Sequence, residues 1–242
     1  MPIFQSISRP AAALAALAML AGCTTENAVA PVTTANSLAP SADAQDVVMP
    51  NIRHSTCSSG VKVTRKNALV ADRVTPGDPY YIEFRMRPSA AIPTGHMFVV
   101  YGELDAAGNP VSQYYSGLYP KGSVVGLYTG TVLPVPIPGD IEPSIMDCKV
   151  IPAAAYRRSI SAAQYRNMLL KLAQYKANPP KWVMLAFNCN HYAASLGVAA
   201  GLRAPNGTRS LEFVSAQYFT ELVKVNGDTI RGTAPAYQSV QR

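Results

Sequence analysis

The sequence predicts an α+β domain in which a small antiparallel sheet packs against a helix carrying a cysteine at its N-terminus. Three observations lead there. Strand-like runs cluster early, with Tyr80 to Arg87 alternating and Gly95 to Gly102 almost continuously apolar. Helical patterns cluster late, from Ser161 onward. Phe187-Asn188-Cys189-Asn190-His191-Tyr192 closes an extended apolar run, Trp182 to Phe187, and opens a helix.

The elements follow in order. Residues 1–22 read as a secretory signal: Arg9 supplies the positive start, and Ala11 to Leu20 is apolar but too short for a good membrane span. Leu20-Ala21-Gly22-Cys23 resembles the lipobox of bacterial lipoproteins. That resemblance implies that Cys23 receives a diacylglycerol thioether and becomes the new N-terminus. Thr24, in place of Asp, implies by the same resemblance the periplasmic face of the outer membrane. Simple secretion, with cleavage near Ala28-Val29-Ala30, is the alternative. Residues 23–50 are rich in Ala, Thr, Ser and Pro and read as a flexible tether. The folded domain is expected over 51–230, with a frayed tail at 231–242.

Within the domain Val61 and Val63 read as a short strand. Pro76-Gly77-Asp78-Pro79 is a turn. Tyr80, Ile82, Phe84 and Met86 then face one way and Tyr81, Glu83, Arg85 and Arg87 the other, as in a half-buried strand. The Gly95 to Gly102 strand turns at Ala106 to Pro110 and returns through Val111 to Tyr115 as a hairpin. Residues 120–143 hold five glycines and prolines in their second half alone (Pro134, Pro136, Pro138, Gly139 and Pro143) and read as a long surface excursion. Cys148 to Pro152 reads as extended. Ser161 and Gln164 form a capping box that opens a helix with core face Tyr165, Met168, Leu169 and Leu172. Asn188 is the cap of the next helix and Gly201 its stop. A last helix spans about Ser215 to Lys224 and ends at Asn226-Gly227.

The 242 residues suit one domain plus a leader. The formal net charge is +7, and Arg9 is the only charge in 1–22, so a chain starting at Cys23 carries 7 − 1 = +6. The basic residues are scattered, without a stripe of interleaved aromatics, which argues against nucleic acid as a partner. A moderately basic surface suits an anionic envelope, and a solvated surface explains it equally well.

Cys189 falls in the first turn of its helix, where the macrodipole favours a thiolate, the nucleophilic form. A thiol nucleophile needs a base, and there are three histidines. His54 lies near the tether. His191 is two residues after Cys189 on one helix, so the two side chains diverge, and it reads as a surface or capping residue. His96, at the start of the strongest strand, is the best partner. Each residue also has an ordinary reading: a buried Cys as a small core hydrophobe, His96 as a satisfied strand-edge residue, Asn188 as a cap.

Gly95-His96 with Phe98 to Gly102, followed much later by Asn188-Cys189-Asn190-His191-Tyr192, resembles the circularly permuted branch of the NlpC-type papain-like superfamily, which includes the lecithin:retinol acyltransferase-like proteins. The resemblance covers roughly residues 80–205. It implies a papain-like fold, Cys189 as nucleophile and His96 as base. It also implies an orienting polar residue on the following strand, for which Gln113 is the best match, although many members have His there. Glu103 and Asp105 are alternatives near the hairpin end. The family acts on amide bonds of peptidoglycan peptides or on lipid acyl groups, and an envelope address favours the former.

The cysteine count bears on this. With Cys23 lipidated, Cys57, Cys148 and Cys189 remain, an odd number for an oxidising compartment. Pairing Cys57 with Cys148 leaves Cys189 free, whereas pairing Cys148 with Cys189 abolishes the mechanism. No residue set reads as a metal or cofactor site. The expectation is an envelope-anchored thiol hydrolase; the alternative is a non-catalytic lipoprotein of the same fold that binds cell wall or protein.

Overall fold

The computed structural model describes residues 47–88, 95–122, 135–206 and 214–232. The chain divides into two units, 1–43 and 44–242, and every described residue belongs to the second. The signal, Cys23, nearly all of the tether, residues 123–134 of the Gly/Pro-rich excursion and most of the tail lie outside the described residues.

The chain is α+β. Its elements are β1 (Leu69–Arg73), β2 (Tyr80–Arg87), β3 (His96–Glu103), β4 (Tyr114–Ser116), β5 (Tyr119–Pro120), β6 (Gly139–Asp140), helix α1 (Ile145–Lys149), β7 (Ala154–Ile160), and helices α2 (Ala162–Ala177), α3 (Cys189–Ala199) and α4 (Ser215–Val225). Five strands form one sheet in the order β1-β7-β2-β3-β4, and β5 pairs with β6 separately. The sheet is mixed rather than antiparallel throughout, because β1 runs parallel to β7. The hairpin return is shorter than expected: β4 begins only at Tyr114, beyond a Leu104–Pro110 bridge.

The main core lies between one sheet face and α2, α3 and α4. Ile82, Phe84, Met86, Met97, Val99 and Tyr101 meet Met168, Leu172, Tyr192, Leu196, Phe219 and Leu222 there. Gly197 lets α3 come close, since a Cβ there would stand 2.8 Å from Phe84 Cζ.

The opposite face is not solvated, so β2 is buried on both sides. Tyr81, Phe98, Val100 and Tyr115 pack there. Glu83 accepts from Arg85 Nε and Arg157 Nε, each at 2.6 Å, and all three side chains are buried. The guanidiniums also donate to the carbonyls of Val61 and Val63. The 55–63 segment is therefore an irregular strap that spends its carbonyls on buried arginines rather than forming the expected strand. Its Ser55 carbonyl accepts the Tyr115 N–H at 2.8 Å. Cys57 of the strap is disulfide-bonded to Cys148 of α1.

Four other stretches depart from expectation. Residues 145–149 are helical rather than extended at Cys148, because Ser144 and Asp147 form a capping box. The Trp182 to Phe187 run is not one strand: it folds back on itself, with the Phe187 N–H donating to the Val183 carbonyl at 2.9 Å. β1 and β7 lie where no strand was expected. The α2 box at Ser161 and Gln164 is present, and Tyr165, Met168, Leu169 and Leu172 are its buried residues. The chain leaves α3 through Gly201 at φ +85°.

Candidate functional site

Cys189 is the first residue of α3 because Asn188 stops the preceding turn and starts the helix. Asn188 Oδ1 accepts the N–H of Asn190 at 2.8 Å and that of His191 at 3.4 Å. Its amide nitrogen donates to the Met184 carbonyl at 2.7 Å. His191 Nδ1 accepts the Asn188 N–H at 3.3 Å, which completes the box and makes His191 a capping residue.

Cys189 is a free thiol with partial exposure. Its sulfur donates weakly to Asn190 Oδ1 at 3.8 Å, and that oxygen also accepts from Ser215 Oγ at 2.9 Å. The Met97 N–H and the Ser215 side chain lie near the sulfur, where they favour its thiolate. The strand pairing explains why Met97 is available. The Met86 carbonyl accepts from Ala153, so Met86 directs its backbone toward β7 and its partner Met97 directs its own away from β2. On that side β4 ends at Ser116, opposite Val99. The sulfur thus stands at the open edge of β3, in the plane of the sheet. Gly95, at φ +74°, leaves the room: a Cβ there would lie 3.4 Å from the Ser215 Cβ. Burial pushes the thiol pKa up, and the donors from Met97 and Ser215 and the helix N–H groups pull it only partly back.

His96 opens β3, and alternation places its side chain on the face opposite Met97. The ring stacks near Phe98, with centroids 5.9 Å apart, and tilts against Tyr119 at 4.4 Å. A Cβ on Gly117 would come 3.3 Å from Nε2. Nε2 is buried without a hydrogen-bond partner, and Asp147 Oδ1 lies 4.0 Å away. Burial, then the charge of Arg87, drive the imidazole pKa well below its ordinary value, so the ring is neutral at neutral pH. Among the described residues no hydrogen bond joins His96 to Cys189. Met97, which follows His96 in β3, is the residue of that strand that reaches the sulfur.

Gln113 is placed elsewhere: its Oε1 accepts the Tyr115 hydroxyl at 3.0 Å. Asp105 accepts the N–H groups of Ala107 and Asn109 and serves its own turn. Glu103 is exposed at the end of β3. His54 stacks on Tyr114 at 4.2 Å, with Nδ1 3.2 Å from the Tyr101 hydroxyl. The carboxylate nearest His96 is Asp147, which sequence reasoning passed over. Ser144-Ile145-Met146-Asp147 carries the box spacing that would have found α1. Ser215 was read only as a helix start, and nothing in the sequence links it to Cys189.

Among the described residues no group of three His, Cys, Asp or Glu side chains is arranged to hold a metal ion. A cleft of about 350 Å³ lined by Arg65, Asp72, Arg73, Asp228 and Arg231 runs along β1, three strands from β3 and apart from Cys189. No described helix is long and apolar enough to cross a membrane. Comparison with protein-family models, with curated proteins and with solved structures gave no significant match.

Proposed function

We propose that the chain is an envelope-anchored thiol hydrolase of the permuted NlpC-type papain-like kind, cleaving an amide bond in cell-wall peptides. The observation that carries this reading is the setting of Cys189: a free thiol at a capped helix N-terminus, met by Met97 N–H and Ser215 hydroxyl, beside the strand that begins with His96. In the reaction the sulfur forms a bond to the amide carbonyl as the C–N bond breaks. The thiol proton passes to His96 and on to the departing amine. Water then cleaves the thioester, releasing the acid and restoring the thiol. The N–H groups of the first turn of α3 suit the developing oxyanion. The signal and the Cys23 motif support the envelope address and the lipid anchor, which holds the domain at the membrane.

A specific observation favours a second reading, a non-catalytic cell-wall or protein-binding lipoprotein. Thiol and imidazole are both neutral at rest and are not hydrogen-bonded to each other. Purified wild type, Cys189→Ala and His96→Gln, assayed on cell-wall peptide amides, separate the two. Turnover that both substitutions abolish supports the hydrolase. Binding that survives Cys189→Ala, with no turnover in wild type, supports the binding module.

A further inference from the structure

The carboxylate beside His96 comes from a different part of the chain than the hairpin that follows it. Asp147 sits on α1 and is almost fully buried. It is held from three sides. Arg87 Nε donates to Oδ1 at 2.8 Å. The Ser144 N–H donates to Oδ2 at 3.0 Å. The neighbouring Cys148 ties the helix to Cys57 of the strap. Arg87 in turn pairs across the ladder with His96, so one strand pair sets both the base and the cation that anchors the carboxylate. Facing these groups is His96 Nε2, buried and unpartnered. Another buried polar atom without a partner among the described residues is the Tyr119 hydroxyl, whose ring packs on the imidazole.

Resting on the reading of Cys189 as nucleophile, the geometry points to Asp147 as the positioning residue of His96: its carboxylate, 4.0 Å from Nε2, favours the proton on that nitrogen and leaves Nδ1 as the basic one. A neutral imidazole can carry its proton on either nitrogen, and only the nitrogen without it can accept one from a thiol. A fixed carboxylate at Nε2 selects between them without touching substrate. The 4.0 Å separation is longer than a hydrogen bond, and catalytic hydrogen bonds of this kind tighten in the substrate complex. The Arg87 and Ser144 bonds keep the carboxylate from turning away. Gln113, bonded to Tyr115, has no part in this.

The test reads the tautomer directly. Long-range nitrogen–proton NMR of the intact protein at neutral pH assigns the proton of His96 in wild type, Asp147→Asn and Asp147→Glu. His54→Gln and His191→Gln spectra identify the resonance. The expected result is Nε2–H in wild type and Asp147→Glu and a shift toward Nδ1–H in Asp147→Asn, whose amide can donate to Nε2. With this goes a loss of kcat of about a hundredfold or more with KM little changed, as for a wrong-tautomer variant of a catalytic triad. Nδ1–H in wild type overturns the assignment, and so does a tautomer that Asp147→Asn leaves unchanged. The wild-type spectrum decides the matter even where the variant fails to fold. An inert Cys189 alongside the expected tautomers overturns the hydrolase reading separately.

Discussion

The backbone N–H of Met97 faces the sulfur of Cys189 and favours its thiolate. This approach joins the open edge of β3 to the first residue of α3, and it uses an N–H that the ladder leaves over because β4 stops short. It places the thiol by backbone geometry, which substitution of side chains around it leaves in place.

The first prediction concerns reactivity. Burial raises the Cys189 pKa above the ordinary thiol value, and hydrogen bonds only partly offset it. Iodoacetamide labelling of the free protein is expected to be slower at pH 7 than that of a small thiol, and to keep climbing as the pH passes 9. Fast labelling at pH 6 would mean a thiolate at rest and a site more open than this one. Cys189→Ala should change stability by no more than about 1 kcal/mol, since the residue is small and partly exposed.

A second prediction follows from the Asn188 cap. The side chain is buried, takes two helix N–H groups and donates to Met184. Asn188→Ala removes the cap and strands a buried carbonyl, which costs about 1–3 kcal/mol. Urea midpoints give the loss; a stability equal to wild type would show that the cap does not hold α3.

The buried triad gives the largest effect. Glu83 is the shared acceptor of Arg85 and Arg157. Glu83→Gln leaves two buried guanidiniums without a counter-charge, which costs about 3–5 kcal/mol. A Glu83→Gln, Arg85→Met, Arg157→Met variant should recover much of that loss. If the triple variant is no more stable than the single one, uncompensated charge is not the cause.

The pH profile of stability has a sign that can be worked out. His96 and His54 both have pKa values lowered from 6.5, chiefly by burial. Below about pH 6.5 the unfolded chain takes up protons that the folded one refuses, so stability is full above that pH and falls as the pH drops toward the folded values. Asp147 works the other way at lower pH: its folded pKa is raised from 3.8, so it weakens the fold as the pH rises from 3.8 through the folded value. Urea midpoints between pH 7 and 5 should fall in wild type and fall less in His96→Gln, with His54→Gln as the comparison. Parallel profiles in wild type and His96→Gln would remove His96 as the cause.

The disulfide closes a sequence separation of 91 residues. In the chain-entropy account a loop of that order is worth about 4.6 kcal/mol, with about 2–4 typical in practice. Cys57→Ser with Cys148→Ser should lower the urea midpoint accordingly. A midpoint that does not move would mean that the strap is held by its hydrogen bonds alone.

Much of this architecture is legible from local pattern. β2 and β3 show in their alternation and apolar run, and α2 and α3 declare themselves through Ser161 and Asn188, whose caps are local chemistry. The strands that escaped are those whose identity depends on distant partners. Ala154-Ala155-Tyr156-Arg157-Arg158-Ser159-Ile160 has neither alternation nor a dominant apolar face, because Arg157 is neutralised by Glu83, 74 residues away. The parallel pairing of β1 with β7 has no local signature at all. The same holds for the site. A cysteine behind an N-cap can be read from six residues, whereas Asp147 and Ser215 reach His96 and Cys189 only through the folded chain.

The strap and its disulfide also determine how the domain bears force. A pull on the chain upstream of Cys57 can peel the first described residues, which are held by contacts such as the Arg166 Nε bond to the Val48 carbonyl. At Cys57 the load crosses a covalent bond directly into α1. Residues 58–147, with β1 to β6, then lie inside a closed loop that tension cannot unravel in sequence. A domain joined to a moving surface through its N-terminal segment would thus yield first in the residues before Cys57 and keep β3, with its histidine, mechanically shielded.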